Sequence, residues 1–447
     1  MKKFQEEYGV EEEAGRVAAT FAAYIQHVEF NKFLKLTIHF LHVLMRLPED
    51  VFLVFDGVSM TEQLRNRLSC MAFFFIAGGT YSAIMAYMPS IKVHTQTTNA
   101  QIGTSLFFFG VFSLISLLMS KKILEKLESA LVIFLCTVWI SLCMCATAFA
   151  SSPLQLYMCF ATIGLGVGLI DAAVNVQGIL FEKRHKQQAL NLFHALYSAG
   201  SLVLSIIAAF AASATLKAEV FFPCIATLFV AIAVFSKSGL LADHKKAEDE
   251  ETTPESERKI PFFVIVCGLL TLLAYSSEGS VAEWGPLYIV EEKDAPIALG
   301  ALVYGVFSAM SFIGRLFADP IRKKVGSFVP IRVGLAVGLC GMLTVLFAES
   351  AYLCLFGYAL MGIGLAPVVP TLFSLAGSVP GISPQRASST VASLAYGGLL
   401  FVPPCIGYLA QISSLHSALF LVVAFLLVIF AASLVLRRLF VKSGGKA

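Results

Sequence analysis

Charge is what this chain has least of. Only 14% of its 447 residues are Asp, Glu, Lys or Arg, against about 25% in soluble domains. That leaves too little polar surface to coat a water-soluble globule of this length. Ten cysteines lie mostly inside apolar segments, without a C-x-x-C pair or a Cys–His spacing suited to zinc. They read as small packing residues. The sequence also lacks a phosphate-binding Gly-rich loop, a nucleophile beside a base and a metal-ligand cluster. Neither an enzyme nor a self-contained ATP-driven pump is expected, and no cofactor or metal is called for. The net charge is only +3 and the basic residues form no single stripe, so nucleic-acid binding is not expected. Residues 1–15 are acidic and polar, unlike a cleavable signal peptide.

What is present is apolar sequence in span-sized pieces. Hydrophobic residues make up 57% of the chain, and mean hydropathy is +0.81. A membrane helix needs about 20 apolar residues. Twelve such segments follow Leu68, at 68–91, 102–120, 129–150, 154–181, 188–213 and 217–240, then 261–289, 298–318, 328–348, 352–377, 387–410 and 415–436. Between the sixth and seventh lies a charged stretch, Asp243 to Lys259, that no bilayer core would accept. The expected fold is an all-α membrane protein of twelve transmembrane helices in two pseudo-symmetric six-helix bundles. Its parts would be an extension over 1–59, one bundle over 60–240, a linker over 241–259, and a second bundle with a tail over 260–447. A monomer in the lipid bilayer is expected.

Basic residues set the orientation. Lys121, Lys122 and Lys126 follow span two, Lys183, Arg184 and Lys186 follow span four, and Arg322, Lys323 and Lys324 follow span eight. The opposite loops hold little beyond Lys92, Lys217 and Lys293. The positive-inside rule places both termini and the linker in the cytoplasm, in a cell inner membrane. The halves echo one another: Gly164-Leu-Gly166 in span four matches Gly362-Ile-Gly364 in span ten, and Ser198-Ala-Gly200 in span five matches Tyr396-Gly-Gly398 in span eleven. Small residues at such points let helix backbones approach closely.

Residues 1–59 do not fit this plan. Val10 to Lys32 has the pattern of a polar amphipathic helix, and Phe33 to Met45 is apolar but too short to span. The preferred alternative begins translation at Met60, with residues 61–67 as a cytoplasmic lead-in.

Polar residues inside the spans are few, and Asp171 stands out among them. A carboxylate in hydrocarbon costs several kcal/mol unless it faces a cavity or a partner. Asn175 lies one turn away on the same face, and span five opens with Asn191 and His194. With 1.5 Å per residue, Asp171 is expected about 15 Å, and His194 about 10 Å, from the cytoplasmic end. A carboxylate in low dielectric can exchange a proton near neutral pH. Asn175, Gln177 and Asn191 offer the donors and acceptors a polyol needs. Glu278 in span seven, expected about 27 Å from the cytoplasmic end, is a second candidate for a vestibule or a proton site. Glu283 is expected at the water edge and Trp284 in the interfacial aromatic belt. Pro367, Pro370, Pro403 and Pro404 are expected to kink spans ten and eleven.

The motif Gly314-Arg-Leu-Phe-Ala-Asp319-Pro-Ile-Arg322-Lys-Lys324-Val-Gly326, set after span eight of twelve, resembles the signature of the major facilitator superfamily. Its first-half counterpart, Ser120-Lys-Lys-Ile-Leu-Glu-Lys126, lacks the Asp. Arg315, Asp319 and Arg322 accordingly read as gating residues. Spans one to five look most like the fucose permease branch of proton-linked sugar symporters and the uncharacterised bacterial permeases close to it. The residues that carry this are Pro89, Asn99-Ala-Gln101, Gly164-Leu-Gly166, Asp171, Asn175, Leu190-Asn-Leu192 and His194. The resemblance implies that Asp171 contributes to sugar binding and proton coupling, and that His194 stands beside the sugar. That branch carries an acid in span one, four residues before the proline. Here the position is Met85, which leaves coupling to Asp171 alone or shared with Glu278.

The function expected is a secondary transporter, taking up a small polar solute such as a sugar with protons by alternating access. Proton-driven efflux of drugs or metabolites is the alternative within the fold. A non-transporting sensor or scaffold using residues 1–59 is the alternative outside it.

Overall fold

A computed structural model describes residues 61–187, 189–243, 260–382 and 384–444. The expectations for residues 1–59 and for most of the linker fall outside them. Regular structure among the described residues is helical throughout. Twelve helical segments are long and apolar enough to cross a membrane, in register with the twelve expected spans. In chain order the helices are α1 (Glu62–Ala86), α2 (Met88–Thr95), α3 (Asn99–Leu124), α4 (Ser129–Ala148), α5 (Pro153–His185), α6 (Leu190–Ser213) and α7 (Ala218–Lys237). The second half supplies α8 (Phe262–Glu292), α9 (Ile297–Val325), α10 (Phe328–Phe347), α11 (Ala351–Leu365), α12 (Val368–Gly377), α13 (Pro384–Ile412), α14 (Leu415–Ala418) and α15 (Phe420–Lys442).

Local chemistry explains where the helices break. Span one is interrupted at Tyr87, and Pro89 sits in the first turn of α2, where a missing N–H is harmless. Span ten breaks between Leu365 and Val368, at Ala366-Pro367. Span eleven instead continues as one helix through Pro403 and Pro404. Thr98 opens α3 with a reciprocal capping box to Gln101. Lys183 and Arg184 lie in the last turn of α5, where cations complement the helix dipole.

Glycine-mediated crossings assemble each half, and they repeat. A Cβ on Gly164 of α5 would sit 2.3 Å from the Phe109 carbonyl oxygen of α3. A Cβ on Gly362 of α11 would sit 2.4 Å from the Phe307 carbonyl oxygen of α9. The other pair behaves alike: Gly200 of α6 lies against the Phe75 carbonyl of α1, and Gly398 of α13 against the Leu272 carbonyl of α8. The glycine echo noticed in the sequence thus corresponds to equivalent crossings of spans two with four and eight with ten, then one with five and seven with eleven.

The start of the linker is tied down. The Asp243 carboxylate accepts from the Ser129 backbone N–H at 2.7 Å and from its hydroxyl at 2.9 Å, capping α4. Gln177 Nε2 donates to the Leu241 carbonyl at 2.7 Å, and Gln177 Oε1 accepts from the Leu241 N–H at 2.9 Å. Gln177 is buried and already engaged. The expectation that it offers hydrogen bonds to a solute is therefore corrected.

Gly168→Ala would place a methyl group 2.0 Å from the Ser113 carbonyl oxygen, and overpacking of this kind costs about 1–3 kcal/mol or more. Gly338→Ala meets nothing nearer than 3.5 Å. Thermal unfolding in detergent is expected to show a clear loss of midpoint for the first variant and none for the second.

Candidate functional site

Between the halves lies a cavity of about 490 Å³, within the range of small-molecule sites. Both halves line it. The first half contributes Tyr81 of α1, Asp171 of α5, and His194 and Tyr197 of α6; the second contributes Tyr275, Glu278 and Glu283 of α8, Tyr304 of α9 and Tyr396 of α13.

Four contacts that join the halves lie toward the end opposite the linker. Lys92 Nζ meets Glu291 Oε1 at 2.6 Å and, within its own half, Asn99 Oδ1 at 2.5 Å. The Thr104 and Tyr408 hydroxyls lie 3.2 Å apart. The Ser205 hydroxyl donates to the Ala301 carbonyl and accepts from the Gly305 N–H at 3.1 Å. Deeper in, the Tyr81 hydroxyl donates to Glu283 Oε1 at 3.1 Å. Around them Gly103 packs on Pro404 and Gly407. The cavity is closed at this end, while Asp171 and His194 on its walls are exposed.

The helix lengths shift the expected depths. Because α5 continues to His185, Asp171 stands about 21 Å from its linker-side end and about 27 Å from the other. Because α8 reaches Glu292, Glu278 stands about 24 Å and 21 Å from its two ends. Both carboxylates are central, rather than one inner and one outer.

Asp171 faces the cavity, with the Tyr396 hydroxyl of the opposite half within hydrogen-bonding reach. His194 lies on the same lining but keeps different neighbours. Its ring packs edge-on against Phe74 at 5.1 Å, and Arg315 stands nearby. Asn175 donates to the Asp171 backbone carbonyl at 2.8 Å and is not on the cavity lining. The Asn191 and Asp319 side chains fall outside the described residues. Arg315 and Arg322, grouped in the sequence as one gating motif, separate in space. Arg315 places Nη2 3.8 Å from Glu278 Oε2, an ion pair too long for a hydrogen bond. Arg322 Nη2 donates to the Ser374 hydroxyl of α12 at 3.0 Å.

Two residues overturn their sequence-based placement. Glu283 is 3% exposed and Trp284 0%, so neither the water edge nor the lipid belt holds them. Every residue of α8 from 280 to 289 is buried, so the helix is enclosed on all its faces there, and depth alone gave no sign of it. Glu283 Oε2 and the Trp284 indole nitrogen are buried without a hydrogen-bond partner among the described residues.

The Major Facilitator Superfamily profile matches residues 70–397. The chain belongs to the major facilitator superfamily. It is a multi-pass membrane transporter of that family. It is 26% identical over 377 residues to an uncharacterised MFS-type transporter of Yersinia pestis, covering 84% of this chain and 95% of that one. It is 25% identical over 395 residues to the membrane protein MosC of Rhizobium meliloti, covering 86% and 93%. The crystal structure of a D-xylose-proton symporter superposes with a TM-score of 0.72 at 13% identity, covering 87% of this chain and all of that one. At that identity the likeness concerns the fold.

The Lys92–Glu291 pair spans the halves with side chains 16% and 30% exposed. In a transporter of this family, reversing one charge puts like charges together at the closed end. Lys92→Glu is expected to lengthen the spin-label distance between residues 94 and 294, and the swap Lys92→Glu with Glu291→Lys to restore it. Unchanged distances in the single variant would show that the pair does not hold this end shut.

Proposed function

We propose that this transporter carries a small polar solute, such as a sugar, inward together with protons by alternating access. In this reading it resides in a cell inner membrane as a monomer, with both termini cytoplasmic. The observation that carries the reading is Asp171, a carboxylate at mid-depth, exposed to the central cavity and within reach of the Tyr396 hydroxyl of the other half. A group in that position exchanges protons with the cavity and senses the approach of the opposite half. Protonation removes a charge that is costly to enclose, so it biases which arrangement of the halves is favoured. The resemblance to the fucose permease branch supports the same role. His194 and Glu278 supply further polar contacts, while Asn175 and Asn191 act on the Asp171 side. Arg315 tunes Glu278, and Arg322 with Asp319 governs the linker-side opening.

A second reading is proton-driven efflux of an amphipathic compound. It is supported by the apolar part of the cavity wall, which includes Ile84, Met85, Leu114, Leu117 and Phe160. Drug-sensitivity profiling of a deletion strain separates the two.

A thermal-shift screen of the purified protein against sugars, acids and drugs supplies the solute for the decisive test. In proteoliposomes, Asp171→Asn is expected to abolish accumulation driven by a pH gradient while solute exchange at equal pH persists. Full gradient-driven accumulation by the variant would remove Asp171 from the coupling role.

A further inference from the structure

The cavity lining carries three carboxylates, Asp171, Glu278 and Glu283, and neither lysine nor arginine among the described residues. Arg315 approaches Glu278 from outside that lining. Among the described residues, Asp171 and Glu283 have no countercharge within ion-pair distance. A neutral polyol satisfies carboxylates only as hydrogen-bond acceptors; it brings no charge to offset theirs.

The closed end of the cavity is more specific still. Glu283 is 3% exposed, and one oxygen is held by Tyr81 while the other, Oε2, is buried without a donor. A buried acceptor left in that state carries its full desolvation penalty, larger still when charged. Aromatic rings surround the carboxylate's partner. Tyr81 and Tyr304 meet edge to face at 5.8 Å, Tyr304 stacks on Phe307 at 6.3 Å, and Phe109 lies 6.1 Å from Tyr81. All four rings line the cavity. A carboxylate beside several aromatic rings is the chemistry that recognises an ammonium group, through charge, a charge-assisted hydrogen bond and cation–π attraction together.

We propose that the closed end of the cavity is an ammonium subsite, so that the solute carried is an amine. Glu283 Oε2, enclosed in this arrangement, accepts from the ammonium once the side chain turns into the cavity, where Tyr81, Tyr304, Phe109 and Phe307 line the wall. The rest of the solute extends toward Asp171, Tyr396 and His194, whose polar groups suit hydroxyls. This rests on the reading of the cavity as the solute site and narrows the class of solute from polar to cationic and polar. A neutral sugar, by contrast, leaves Glu283 Oε2 short of a countercharge.

Isothermal titration of the purified full-length protein with matched probes tests it. Glucosamine and N-acetylglucosamine differ in the charge of one nitrogen on a polar body, and tyramine and N-acetyltyramine differ in the same way on an aromatic body. The amines are expected to bind about tenfold more tightly than their acetylated partners, a size within reach of a desolvated cation–π and charged contact. Preference within the first pair assigns a polar amine, and within the second alone an amphipathic one. Glu283→Gln, which keeps the shape, is expected to bring each pair to within about twofold. Should that variant fail to fold, Tyr304→Leu is expected to lower the preference while Tyr304→Phe retains it. Equal binding of amine and acetyl forms, a preference that survives Glu283→Gln, or no binding by either amine overturns the subsite. Proton-coupled uptake of a neutral solute that depends on Asp171 would leave the transport reading standing when the subsite falls. Loss of coupling control by Asp171 would remove the former without touching the amine preference.

Discussion

Close backbone crossing at glycine is the constraint on which this structure depends. Within lipid, tails are as apolar as side chains, so burial alone gives helices little reason to associate. Contact has to come from backbones brought near enough for dispersion and Cα–H···O contacts. The carbonyls of Phe109 and Phe307 meet Gly164 and Gly362 in equivalent ways in the two halves. The carbonyls of Phe75 and Leu272 do the same with Gly200 and Gly398. Such crossings hold the helices of each half backbone to backbone.

The seam between the halves has a glycine crossing of its own, Gly103 against Pro404 and Gly407, but adds polar contacts to it. It is joined by hydroxyls, one ion pair and a serine poised against backbone groups: Lys92 to Glu291, Thr104 to Tyr408, Ser205 to Ala301 and Gly305. Each is a polar contact that water can replace when the halves part. A glycine crossing offers no such substitute, since separating it forfeits dispersion without any solvent compensation. The seam thus sets contacts that water can replace beside a backbone crossing that it cannot, a mixture compatible with the alternating access proposed above.

How much of this the sequence disclosed depended on whether a residue's meaning lies along the helix axis or around it. Twelve spans, the linker and the glycine echo are properties of linear order, and apolar run length makes them visible. Asp171 was visible for the same reason, as a charge interrupting an apolar run. Its depth was misjudged because α5 carries its basic final turn, through His185, beyond the apolar limit. Facing direction was harder to read. Gln177 shares a helix with Asp171, yet it turns to Leu241 and Ser129 rather than to the cavity. Glu283 and Trp284, near the end of a span, had the composition of an interface and turned out buried. Arg315, read as part of a loop signature, stands beside Glu278 because α9 is helical through Val325 and the motif's first residues lie well inside it.

The missing acid of span one takes on a different meaning beside Glu283. The resemblance to the fucose permease branch leads one to seek a carboxylate where Met85 stands, on the first half. In this chain a carboxylate reaches the Tyr81 hydroxyl, one turn from Met85, but it is carried by α8 of the second half. The difference is physical. An acid on span one would keep its neighbours in the first half whichever end was open. Glu283 does not, because its hydrogen bond to Tyr81 crosses the seam. In the alternating access proposed, parting the halves at that end breaks the bond and admits water to a group that is buried here. Under that proposal the free energy of enclosing the carboxylate is tied to a single arrangement of the halves, and neutralising it favours closure there.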